Sequence, residues 1–110
     1  MDIIFADKKL EEIFSDERKL KKNFNRVSEK IKARMYEFRR ATNLSEISEK
    51  PPPRRHELTG DRKGKFAVDL IHPYRLIFAP ANEPLPLKAD GGLDLTKTTI
   101  IKIIEVVDYH

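Results

Sequence analysis

Ile100-Ile101-Lys102-Ile103-Ile104-Glu105-Val106-Val107 is an almost unbroken apolar run, and its reading decides the fold class. Branched side chains at six of these eight positions favour a pleated strand. A strand that is apolar on both faces belongs inside a sheet rather than on a wet edge. This reading predicts a last strand over residues 98–107. Upstream, residues 65–71 and 74–79 are rich in branched and aromatic residues and meet through His72-Pro73, the pattern of a hairpin. Between the hairpin and the last strand, residues 80–97 hold three prolines and Asp90-Gly91-Gly92, which predicts a long loop with room for a bent ribbon of its own.

Further upstream, Pro51-Pro52-Pro53 cannot continue a helix and divides the chain into a helical half and a sheet-forming half. In the helical half Phe24, Val27, Ile31, Met35 and Phe38 recur at three-and-four spacing, with Lys and Arg on the other faces. One long core-facing helix is expected, approached from Ser15 or Asp16 and ending near Thr42-Asn43, with a further helical turn at Leu44 and Ile47. Leu10, Ile13 and Phe14 predict an earlier helix capped by Asp7, and Ile3-Ile4-Phe5 a short first strand. The sum is a single α+β domain over residues 1–110, a helical layer on a mainly antiparallel sheet of about four or five strands.

Composition narrows the function. Hydrophobic residues make up 39% and charged residues 36% of the chain, enough for one core. With no cysteine there is neither a disulfide framework nor a thiolate metal site, and a reducing cytoplasm fits best. The apolar run Ile3-Ile4-Phe5-Ala6 is too short for a signal segment or a membrane span, so a soluble, internal protein is expected. Three histidines without paired-histidine spacing give no expected zinc site, and no serine sits in a nucleophile elbow. No metal or cofactor is expected. Lys and Arg outnumber Asp and Glu by 13 to 10 in residues 1–50 and by 6 to 3 in residues 51–79, but are outnumbered 3 to 5 thereafter. A local basic surplus suits a polyanion, although the charges of residues 8–50 read first as solvated helix faces.

Three places can carry chemistry. Arg54-Arg55-His56-Glu57-Leu58-Thr59-Gly60-Asp61-Arg62-Lys63-Gly64-Lys65 gathers cations around one histidine beside two glycines. Such a loop can hold a phosphate or the charge that develops on one, or it is a solvated basic turn. Arg75 interrupts the apolar strand Tyr74-Arg75-Leu76-Ile77-Phe78, sharing a face with Ile77, and either snorkels outward or lines a cleft. Asp108-Tyr109-His110 follows the last strand, where Tyr109 can stack on a base and His110 can shuttle a proton near neutral pH beside Asp108. Strand alternation sets Asp108 and His110 on one face and Tyr109 on the other, so one shared site requires the tail to twist or leave the sheet. His72, beside Pro73, reads as a turn residue.

The segment His56-Glu57-Leu58-Thr59-Gly60-Asp61-Arg62-Lys63-Gly64 and the closing Asp108-Tyr109-His110 resemble the signature of HigB-type toxins in the RelE/ParE superfamily. The predicted element order is compatible over nearly the whole chain, with residues 80–97 longer than in compact members. The resemblance implies a RelE-like fold and a metal-independent endoribonuclease. It would cut mRNA on the 70S ribosome and be held inactive by a cognate helix-turn-helix antitoxin. It implies His56 and His110 for proton transfer, Asp108 in support, Tyr109 on the nucleotide, and Arg62, Lys63 and Arg75 on the phosphate, with Arg54 and Arg55 as further RNA contacts. Which histidine is acid and which base stays open. Two other functions remain compatible with the sequence: a ParE-like poison of DNA gyrase, and a non-catalytic module that docks RNA or protein.

Overall fold

The computed structural model describes residues 1–108. Its strands are β1 (Asp2–Phe5), β2 (His56–Glu57), β3 (Phe66–Asp69), β4 (Tyr74–Pro80) and β5 (Ile100–Asp108), and its helices α1 (Lys8–Phe14), α2 (Glu17–Phe24) and α3 (Ser28–Arg40). They form one mixed sheet of order β1-β5-β4-β3-β2, in which β1 runs parallel to β5 and the other pairings are antiparallel. β5 therefore lies between two strands, as its two-sided apolar pattern requires.

The helices cover one face of the sheet. Ile31, Met35 and Phe38 of α3, with Leu20 and Val27, pack on Phe66, Val68, Leu76, Phe78, Ile101 and Ile103. Phe38 meets Phe78 edge-on at 5.0 Å between ring centres, within the range where aromatic pairs attract beyond their burial. Asp7 caps α1 by accepting from the Leu10 amide at 2.8 Å, and Asp16, rather than Ser15, caps α2 by accepting from the Arg18 and Lys19 amides.

The single long helix expected from the stripe is divided. A 3₁₀ turn at Asn25–Val27 separates α2 from α3, and Asn25 sits at φ +20°. Side chains three apart eclipse in a 3₁₀ turn, so Phe24 and Val27 stay with the core cluster across the break. Apolar spacing alone does not separate the two arrangements. A second departure is β2, a two-residue strand on β3 within the segment read as a basic loop. In residues 80–97 the ribbon is reduced to one bridge, Leu87 with Leu93, followed by a 3₁₀ turn at Leu95–Lys97. No helix among the described residues is long and apolar enough to cross a membrane.

Candidate active site on the open face of the sheet

The face of the sheet away from the helices carries its own small apolar cluster. Ala67, Ile77 and Leu58 are buried there, with Ile104 and Val107 packed beside them. Register fixes what accompanies them, because cross-strand partners share a face. His56, Ala67, Ile77 and Glu105 form one row across β2, β3, β4 and β5, and Asp69, Arg75 and Val107 form the next. Between Ile77 and Phe78 the β4–β5 register shifts by one residue, so that β5 gains Ile104 as an extra position. The bulge turns both Ile104 and Glu105 toward the open face.

The segment after β2 folds back over this face. The Leu58 amide donates to the Lys65 carbonyl at 2.9 Å, closing a turn in which Gly60 (φ +64°) and Gly64 (φ +88°) take conformations that L side chains rarely adopt. Leu58 is the apolar anchor, and the 3₁₀ turn Gly60–Arg62 carries Arg62 to within 3.9 Å of Glu105. Lys63 stays exposed on the same turn.

His56 is oriented by the backbone. Its Nδ1 lies 2.8 Å from the Arg54 carbonyl, which can only accept, so in the neutral ring Nδ1 carries the proton and Nε2 presents the lone pair. That Nε2 is buried and, among the described residues, has no hydrogen-bond partner. A buried polar atom left unsatisfied is uncommon and asks for an explanation such as a catalytic role.

Around it the cations are answered by carboxylates that sequence reading did not single out. Asp69 receives Arg54 through Nε at 2.6 Å and Nη2 at 2.9 Å, and Arg75 Nε lies 3.7 Å away. Donating hydrogen bonds to the Asp69 carboxylate raises the Arg54 pKa above its ordinary value. A cavity of about 120 Å³ opens between Arg54, Asp69, His72, Tyr74 and Arg75. The pairing of Ala67 with Ile77, continued two residues, sets Asp69 opposite Arg75. A larger cleft, about 500 Å³, lies away from these groups between α3 and the proline turn, lined by Tyr36, Arg40, Pro52 and Pro53.

The open face thus unites His56, Arg75, Arg62 and Arg54. Arg55 turns the other way: it is 7% exposed, and its Nε donates to the Ile47 carbonyl beneath the helical layer. Asp108 occupies the register position opposite Tyr74, in a row that alternates to the helix side, and is exposed there. Tyr109 and His110 lie outside the described residues. No group of three or more His, Asp or Glu among the described residues is arranged to hold a metal ion. No protein-family model, curated protein or solved structure matches this chain.

Proposed function

We propose that this chain is a cytoplasmic RNA-cleaving toxin of the RelE/HigB kind, with a RelE-like fold. In this reading it acts on mRNA in the ribosome without a metal, and a helix-turn-helix antitoxin restrains it. The observation that carries the reading is His56, whose Nδ1 faces the Arg54 carbonyl and whose Nε2 has no partner among the described residues. That is the tautomer a general base acting through Nε2 requires, and the groups that cover Nε2 must move aside for a 2′-hydroxyl to reach it. Arg62, Arg75 and Arg54 on the same face supply positive charge for a phosphate, and Lys63 adds to it from the exposed turn.

The reaction that uses these parts is transesterification within the RNA. His56 Nε2 takes the proton of the 2′-hydroxyl, the 2′-oxygen forms a bond to the adjacent phosphorus, and the bond from phosphorus to the 5′-oxygen breaks. The leaving oxygen takes a proton, a role this reading gives to His110. The products are a 2′,3′-cyclic phosphate and a 5′-hydroxyl. Arginine guanidiniums hold the phosphorane oxygens, and exchange of Arg75 and Arg62 from Asp69 and Glu105 to the phosphate accompanies binding.

The test is primer extension on mRNA from a reconstituted translation mixture, comparing the parent with His56→Ala and His110→Ala. Discrete cuts within translated codons are expected for the parent. They should fall by ~10²–10⁴-fold in each variant, the range for a positioned acid or base, while circular dichroism shows the variants folded. Intact mRNA despite growth arrest in cells would overturn the nuclease reading and point to another target, such as gyrase.

A further inference from the structure

Asp69 is held through its amide, its carbonyl and its carboxylate. Its amide donates to the Pro53 carbonyl at 2.8 Å, and its carbonyl accepts from Nε of the buried Arg34 at 2.8 Å. Its carboxylate clasps Arg54 at two points, 2.6 and 2.9 Å. Arg54 in turn stands at φ +47°, a left-handed conformation that an arginine does not hold unless its surroundings impose it. Its carbonyl is the one that receives His56 Nδ1.

The clasp does little for stability by itself. The Arg54 and Asp69 side chains are 39% and 29% exposed, and ion pairs this accessible to water contribute little. Its effect is geometric. We propose that Asp69 is a positioning residue for His56. By holding the Arg54 guanidinium and, through its amide, the Pro53 carbonyl, it keeps the Arg54 peptide turned so that its carbonyl fixes the imidazole tautomer. The Arg34 bond from α3 anchors Asp69 from the opposite side of the sheet. With the clasp gone, the Arg54 peptide relaxes toward negative φ, its carbonyl leaves Nδ1, and the ring is free to carry its proton on Nε2, where it cannot act as a base.

The catalytic consequence rests on the proposed function, but the tautomer can be measured without RNA. The experiment is long-range ¹H–¹⁵N NMR of the His56 ring at a pH where the ring is neutral, on the parent, Asp69→Asn, Arg54→Met and Arg54→Gly. The Nδ1–H form should predominate in the parent and lose its predominance in Asp69→Asn and Arg54→Met. Arg54→Gly should keep it, because glycine takes φ +47° without a clasp. Purely structural damage would not separate glycine from methionine in this way. In the cleavage assay Asp69→Asn should lose roughly 10–100-fold, the scale seen for partners that orient metal-bound imidazoles, and the loss should fall on kcat rather than KM. An unchanged tautomer in both Asp69→Asn and Arg54→Met overturns the proposal whatever the activity. A shifted tautomer in a parent that cuts no RNA leaves Asp69 as the positioning residue and removes only the nuclease reading.

Discussion

Replacing Arg34 by alanine removes a guanidinium that is buried to 3% exposure in α3, the helix that packs on the sheet. The Nε donor bonds the Asp69 carbonyl at 2.8 Å and Nη1 bonds Glu37 at 2.7 Å. Glu37 is 35% exposed and rehydrates when abandoned, so its share is small. The Asp69 carbonyl loses a bond from a charged donor, about 1.5–3 kcal/mol. Truncation also removes the γ and δ methylenes from a packed position, at about 0.8 kcal/mol each. Together these give about 3–5 kcal/mol, the same scale as breaking a buried ion pair by deleting one partner. Urea unfolding followed by circular dichroism reads this directly, and the thermal midpoint should fall by at least roughly 12 °C at ~4 °C per kcal/mol. Arg34→Met restores the stem but not the donor, so it should recover the packing share and still lose about 1.5–3 kcal/mol. An Arg34→Ala protein within ~0.5 kcal/mol of the parent, the ordinary scatter of surface substitutions, would refute the assignment of Arg34 as a buried tie between α3 and the site.

Leu58→Ala removes the side chain that seats the basic turn on Ala67 and Ile77, and a loss of about 2–5 kcal/mol is expected from the cavity. Hydrogen exchange should report it locally, with the Lys65 and Leu58 amides losing protection first; uniform loss across the sheet would argue against an anchoring role. For Glu17 the hydrogen bond from Lys32, at 2.6 Å, holds the carboxyl below its ordinary value of 4.5, and the charge of Lys32 adds to this. The pair therefore favours the folded state above that value and loses its effect as pH falls through the lowered one. NMR titration should show Glu17 returning to the ordinary range in Lys32→Ala, and an unmoved Glu17 would remove the pair from the acid response.

Much of the site was legible because its residues break local patterns. Arg75 stands out inside an apolar strand, and the two glycines beside Arg62 mark a turn that has to be tight. Asp69 and Glu105 were not legible as partners, because a carboxylate in a strand reads as a solvent-facing position until the neighbouring strand is in register. Glu105 also depends on the one-residue shift at Ile77, which no alternation pattern announces. Arg34 was grouped with the solvated cations of its helix. Its carbonyl partner is 35 residues away, so no local spacing could point to it.

What the sequence by itself determined were the elements with a strong period: the interior last strand, the hairpin at His72-Pro73, the amphipathic helical half and the capped first helix. Their signals are local, set by backbone sterics and by the need to bury one face or both. Tertiary structure alone decided the division of the long helix at Asn25, the parallel seat of β1 against β5, and the turning of Arg55 away from Arg54 and His56. It also decided the tautomer of His56, since the carbonyl that holds its proton is placed by a carboxylate on another strand. Those outcomes depend on which side of a sheet the helices cover and on which residues meet across strands, and contacts between distant positions leave no trace in a local pattern.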